Sequence, residues 1–310
     1  MKLLMITRKI DRNDGLAGFV YNWVEKIGER VEKLYVITWQ PSDRGDLPDN
    51  VEIINLPQNK FLKIAALKSK AFKILLKVDG VFCHMNPEYT IIVGPIARIL
   101  GKKVVCWYMH SSVTWRMKLM EKIANACLSA SNKSFRLPSK KLVVTGHGID
   151  INIFNPSEEK QQHENFRLLS VGRISPTKDY ESMIKAVDIL KDQGIVDIKL
   201  TIIGAPGLEQ QQIYLMNLQQ MVQAMKLGDN VEFLGSVANN EIPQYLNQAD
   251  LFINLSGTGS LDKAVLEAMS CECLVLTANE AFTEILPAKL LVGKNNPKQL
   301  AEKIKYLMNL

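Results

Sequence analysis

The stretch LLSVGRISPTKDY (168–180) ends an apolar run at Gly172 and follows it with two cations, Arg173 and Lys178. A guanidinium offers a planar fork to phosphate oxygens and an ammonium offers a mobile point charge, so the pair suits a diphosphate. A solvated basic loop would have the same composition. Placement at the end of a buried run favours a site. A second stretch, SGTGSLDKAVLEAMSC (256–271), brings Gly257 and Gly259 for close backbone approach, Ser260 as an N-cap and Asp262 for a first helical turn. The helix start is then an anion-binding end. Glu267 lies about two turns in, on the face of Lys263 at i−4, which makes it either a surface ion pair or a carboxylate accepting hydroxyls. Spacing alone does not choose between them.

Other candidates for chemistry are fewer. No Asp-x-Asp element follows an apolar run, and no His/Cys cluster has ligand spacing, so no metal is expected. Cys83, Cys106, Cys127, Cys271 and Cys273 form no disulfide framework and read as reduced, buried thiols. His110 stands alone after VVCWYM, where a histidine is more often structural.

The elements that must position these residues repeat along the 310-residue chain, a length of roughly two domains. Short apolar runs at 2–7, 33–38, 51–56, 80–85, 103–109 and 142–146 alternate with amphipathic segments. After a polar stretch at 155–165 the pattern restarts at 167–172, 197–204, 230–235, 249–256 and 273–279. Repeated βα units of this kind predict an α/β chain of two Rossmann-like domains, 1–154 and 155–310. Their parallel sheets are expected to face an interdomain cleft, with ligand loops at the carboxyl ends of the strands. No window approaches the ~20 apolar residues of a membrane span. MKLLMIT reads as a first strand rather than a signal peptide, so the cytoplasm is the expected location.

Charge is uneven. Residues 1–150 hold 24 Lys and Arg against 13 Asp and Glu, a net +11, while the remainder holds 14 against 19, a net −5. Residues 58–77, QNKFLKIAALKSKAFKILLK, carry Lys60, Lys63, Lys68, Lys70, Lys73 and Lys77 with no acid, interleaved with Phe61, Ile64, Leu67, Phe72 and Leu75. The pattern is either an ordinary helix with a solvated lysine face or a helix that lies on an anionic membrane. Arg116, Lys118, Lys122, Lys133, Arg136, Lys140 and Lys141 extend the basic character. No nucleic-acid recognition module accompanies it, so nucleic acid is not an expected partner.

The second half resembles the donor domain of family 4 glycosyltransferases, nucleotide-sugar enzymes of the GT-B fold. The matching segments run in order as VGRISPTKDYESMIKAV (171–187), LTIIGAPG (200–207), LGDNVEFLGSVANNEIPQYLNQADLFINLS (227–256) and LEAMSCECLVLTANEAFTEIL (266–286). The first half is similar through VVCWYMHSS (104–112), the stretch at 129–138 and GHGIDINIF (146–154). The resemblance implies that Arg173 and Lys178, beside Gly172, hold the donor diphosphate. Glu267 corresponds to the second glutamate of an E-x7-E motif and would bind the nucleotide ribose. Backbone from Gly235 to Val237 would edge the base pocket. His110 would face the transferred sugar, and Gly15 would lie in the first loop, where acceptor or phosphate approaches. The implied chemistry retains anomeric configuration without a metal or other cofactor, and the acceptor would be a glycan or a lipid-linked glycan.

Departures from the family are specific. Gly259 stands where the first glutamate of E-x7-E contacts the transferred sugar; the backbone of Gly259, Ser260, Leu261 and Asp262, with the Asp262 carboxylate, is the expected substitute. Asp14 occupies the first glycine of the N-terminal loop, Glu272 a glycine after the helix, and Asn279, Glu280 and Ala281 a frequent glycine pair. The chain stops at LAEKIKYLMNL, where the family usually continues with a helix crossing back to the first domain; that crossover helix is expected to be missing. Three functions fit: sugar transfer, nucleotide-sugar binding without catalysis, and epimerisation of a nucleotide sugar.

Overall fold

The computed structural model describes residues 1–12, 18–157, 163–257 and 259–309, without the side chains of Lys60 and Phe61. Gly15 and Asp14 lie outside the described residues. The chain divides into two compact units, Met1–Gly146 and His147–Leu310. The division falls ahead of the 154/155 boundary read from polarity. Phe154 is buried, its carbonyl accepts a 2.5 Å bond from Ser270 Oγ, and Asn247 bonds to both Asn155 and Ser157, so this segment belongs to the second unit.

In the first unit, β1 (Lys2–Thr7), β2 (Lys33–Thr38), β3 (Val51–Asn55), β4 (Gly80–His84), β5 (Lys103–Trp107), β6 (Ala126–Ser129) and β7 (Leu142–Val144) form one parallel sheet. Its order is β3-β2-β1-β4-β5-β6-β7. Helices α1 (Gly18–Gly28), α2 (Lys60–Leu75), α3 (Pro87–Ile99) and α4 (Trp115–Ile123) connect the strands. The core stripe of α2 is Lys63, Leu67, Ala71, Ile74 and Leu75, the i, i+4 spacing of a helix with one face on a sheet.

In the second unit, β8 (Phe166–Val171), β9 (Ile198–Ile203), β10 (Val231–Gly235), β11 (Leu251–Asn254) and β12 (Leu274–Thr277) form a parallel sheet ordered β10-β9-β8-β11-β12. The connecting helices are α5 (Tyr180–Asp192), α6 (Glu209–Ala224), α7 (Ile242–Gln248) and α8 (Lys263–Ser270), and α9 (Pro297–Met308) packs on α5. All four residues of β11 are buried, as expected of a central parallel strand covered on both faces. Helix α5 buries Tyr180, Met183, Ile184, Val187 and Leu190 and is capped by Asp179, whose Oδ1 accepts from the Ser182 amide at 3.3 Å.

Each sheet reverses its strand order once, between β1 and β4 and between β8 and β11. Within each unit, the loops leaving the two strands at such a switch point part, and this is the place where open α/β sheets take ligands. Among the described residues no helix is long and apolar enough to cross a membrane.

Candidate functional site

The loops that leave β8 and β11 flank the switch point of the second sheet and carry most of the residues singled out by sequence. At the end of β8, Gly172 is held on two sides. Its amide donates to the Ile203 carbonyl at 2.9 Å, and its carbonyl accepts from Tyr180 Oη at 2.9 Å. Gly204, at the end of β9, has φ 147°, and a Cβ there would stand 1.9 Å from the Gly172 carbonyl oxygen. Only glycine permits that approach. The Gly204 amide in turn donates to the Gly235 carbonyl at 2.8 Å, so the ends of three neighbouring strands are tied together. Gly235 has φ 74°, and Val237, two residues on, is half-buried.

Arg173 leaves this platform exposed and without an ion pair among the described residues. A Cβ on Gly207 would meet its Cδ at 3.3 Å. Lys178 ends a 3-10 turn (Pro176–Lys178) and folds back over Gly172. Its ammonium pairs with the Asp262 carboxylate from the β11–α8 loop. Asp262 Oδ2 also accepts from Asn254 Nδ2 at 3.0 Å, and Oδ1 accepts from the Ala264 amide at 3.4 Å. These partners, the Lys178 ammonium chief among them, outweigh the burial that would raise the Asp262 pKa and hold it below its ordinary value.

Asp262, rather than Ser260, is therefore the N-cap of α8. Ser260 is held back by Asn279 Nδ2, which donates to its carbonyl at 2.7 Å, and Leu261 is buried. The expected helix N-terminus is present, with the Ala264 amide already bonded to the capping carboxylate. Gly259, which stands where the resemblance would place a glutamate, is buried with left-handed backbone at φ 66°. Glu267 points from α8 with a side chain only 8% exposed, and its Oε1 lies 3.8 Å from Lys263 Nζ, beyond hydrogen-bond length. Burial raises its pKa, the Asp262 charge adds to the rise, and Lys263 opposes it. Arg173, Lys178, Asp262 and Glu267 all stand on the two loop–helix segments beside one switch point.

In the first unit, His110 follows β5, exposed, with Nδ1 accepting from the Ser112 amide at 3.3 Å. It lines a cavity of about 390 Å³ with Asn86, Glu88, Tyr108, Trp115 and Arg116. Arg116 pairs with Glu88 at 2.9 Å and lies 5.5 Å from the centre of the Trp115 ring. Among the described residues no group of three or more His, Cys, Asp or Glu is placed to hold a metal ion.

Residues 152–310, with this switch point at their centre, match the family described as glycosyl transferases group 1. The chain belongs to that family. AmsK of Erwinia amylovora, an amylovoran biosynthesis glycosyltransferase, is 32% identical over 150 residues, 46% of this chain and 35% of AmsK. WcaL of Escherichia coli, named for colanic acid biosynthesis, is 27% identical over 177 residues, 54% of this chain and 42% of WcaL. The chain thus spans less than half the length of either relative. HepE of Anabaena, crystallised with UDP, is 18% identical with a TM-score of 0.82, covering 100% of this chain and 90% of HepE. At that identity the likeness concerns the fold, two Rossmann-like parallel sheets of the GT-B class.

The structure adds site residues that sequence reading missed. Asn254, buried at the end of β11, orients Asp262. Asn279 fixes Ser260. Lys294 lies along Gly257 and donates to its carbonyl at 3.3 Å. His147 stands close enough to α8 to feel both Lys263 and Asp262; burial first, then Lys263, lowers its pKa to about 4, with Asp262 opposing. Lys294 and His147 had no usable signal. The two asparagines had one, since a polar residue at the end of an apolar run often serves the adjoining loop. In the first unit, His84 ends β4 with Nδ1 3.1 Å from Thr7 Oγ1, joining the strand ends at that sheet's switch point.

Proposed function

We propose that this chain is a retaining glycosyltransferase that moves a sugar from a nucleotide-sugar donor to a glycan or lipid-linked acceptor. The observation that supports it is the convergence of an exposed Arg173, a positioned Lys178 and a buried Glu267 at the switch point of the second sheet. The polysaccharide names of AmsK and WcaL and the UDP bound to HepE favour the same reading.

In the proposed reaction the bond between the anomeric carbon and the donor phosphate breaks, and its electron pair leaves on the nucleoside diphosphate. Arg173 and Lys178 stabilise that charge, with Gly172 allowing close approach. The acceptor hydroxyl forms the new bond on the same face, and its proton passes to the leaving phosphate. Fixed cations placed where charge develops supply the largest electrostatic contribution to catalysis. Glu267 receives the ribose hydroxyls, and backbone from Gly235 to Val237 edges the base. The amides of Gly259, Ser260 and Leu261 approach the sugar in place of the absent glutamate. His110 and its cavity offer a polar, aromatic lining suited to a sugar hydroxyl face.

The test is release of nucleoside diphosphate from a panel of nucleotide sugars. Slow release by the wild type, reduced about 10²-fold or more in Arg173→Ala, is expected. Tight donor binding with no turnover, even with candidate acceptors, would replace transfer by a binding role, the reading that Gly259 favours. Conversion of the donor into its epimer would replace it by epimerisation.

A further inference from the structure

Helix α2 has two faces. One packs on the sheet. On the opposite side Leu62, Ala65, Ser69, Phe72 and, one residue past the helix end, Leu76 follow one another at intervals of three and four residues, the spacing of a single continuous stripe. The stripe is turned outward: Leu62 is 60%, Phe72 47% and Leu76 59% exposed. Beside it the end of α3 carries Ile99, 85% exposed. Between the two helices lies a groove of about 470 Å³ lined by Lys68, Ser69, Phe72, Lys73, Ile96 and Ile99. Lys68 flanks the stripe on one side and Lys73 on the other, and α2 has no acidic residue.

We infer that this α2–α3 face docks the chain on an anionic lipid bilayer, with Leu62, Phe72, Leu76 and Ile99 entering the headgroup–acyl boundary and Lys68 and Lys73 meeting lipid phosphates. The charge pattern selects this occupant. A second copy docking through the same face would bring Lys68 and Lys73 against their own counterparts with no carboxylate on α2 to offset them. A nucleic-acid backbone would gain from the lysines and leave the apolar stripe unmatched. An anionic bilayer presents phosphates above hydrocarbon, the order in which the face presents its lysines and its apolar side chains. The inference concerns attachment and stands apart from the donor chemistry of the second unit.

Sedimentation with vesicles of equal parts phosphatidylcholine and phosphatidylglycerol, at low ionic strength, tests it. The wild type is expected to pellet with these vesicles, to stay in solution with phosphatidylcholine alone, and to release as salt rises. Each well-placed lysine contributes roughly fivefold in partitioning, so Lys68→Ser/Lys73→Ser should lower binding about 25-fold. Phe72→Ser/Ile99→Ser should lower it at least about tenfold without changing salt sensitivity. All four positions are on the surface, and an unchanged melting curve will show that each variant folds. No pelleting of the wild type at low salt overturns the inference, as does wild-type binding by both double variants. A wild-type dimer that Phe72→Ser/Ile99→Ser converts to monomer in analytical ultracentrifugation also overturns it, assigning the face to a second copy.

Discussion

Replacing Glu267 by glutamine separates its cost to the fold from its proposed service to the nucleotide. The carboxylate is 8% exposed, and Lys263 Nζ stands 3.8 Å from it. Its pKa is raised, with burial the largest cause, so the native state holds the proton more tightly than the unfolded chain does. Between the ordinary carboxylate range and the raised native value, stability therefore falls as pH rises. Glutamine removes the ionisation and keeps the shape. Above that window Glu267→Gln should be more stable than wild type by about 1 kcal/mol, or roughly 2–4 °C in Tm. The gap should close as pH falls below the ordinary carboxylate range, where Glu267 is protonated in both states.

Binding should move the other way. A hydrogen bond to a charged acceptor is worth about 1.5–3 kcal/mol, and glutamine retains one accepting oxygen. A loss of about 2 kcal/mol corresponds to roughly 30-fold in Kd. Calorimetric titration with a nucleoside diphosphate that binds the wild type, and with its 2′,3′-dideoxy counterpart, isolates the ribose contribution. The wild type should discriminate between the two by about the same factor, and Glu267→Gln by little. An unchanged dideoxy penalty in the variant refutes the ribose assignment. A Tm that drops at high pH refutes the reasoning about burial and makes Lys263–Glu267 a structural pair.

Three further substitutions test the frame around the site. Gly204→Ala puts a Cβ 1.9 Å from the Gly172 carbonyl oxygen at φ 147°, so a loss of about 3 kcal/mol in urea unfolding is expected, together with weaker nucleotide binding through the displaced Arg173 loop. Glu272 follows α8 with φ 55°, a conformation that costs a side-chain-bearing residue about 1 kcal/mol; Glu272→Gly should raise Tm by about 2–4 °C. His147 has its pKa lowered to about 4, so the unfolded chain binds a proton between about pH 6.5 and 4 that the native chain refuses. Stability is lost as pH falls through that window, and His147→Gln should show a shallower decline in Tm across it than the wild type.

The repeating βα pattern was legible because parallel strands covered on both faces read as short unbroken apolar runs. Strands β9 to β12 lie within such runs, and β8 (Phe166–Val171) starts one residue ahead of its run at 167–172. Strand β6, ACLS, was not foreseen: its four residues alternate between half-buried and buried and offer no run to see. The cap of α8 was misplaced because Ser260 and Asp262 are both good capping residues, and the choice falls to Asn279, whose bond to the Ser260 carbonyl comes from the next strand's loop. The Lys178–Asp262 pair spans 84 positions and exists because the strand order puts β8 beside β11. Nothing in either local stretch announces that adjacency.

That pair also bears on how a net acidic half of the chain could suit the diphosphate of the proposed donor. The second half carries −5, yet its switch point gathers Arg173, Lys178, Lys263 and Lys294 against the carboxylates of Asp179, Asp262 and Glu267. Burial disfavours ionisation of Glu267 and protonation of His147, the latter aided by Lys263, so one trims the negative charge while the other adds no positive charge. Asp262 takes some of the attraction Lys178 would offer an anion. In exchange it fixes the ammonium over Gly172 before any ligand arrives, which is the condition for a charge to stabilise a leaving group without reorganising. Arg173, exposed and unpaired among the described residues, supplies the uncommitted charge. The glycine at 259 fits the same balance. A further carboxylate there would subtract from the excess of cations, and left-handed backbone at φ 66° would cost a glutamate about 1–2 kcal/mol. On the proposed reading, glycine at 259 leaves the cations meant for the diphosphate in place and confines the change to the sugar end.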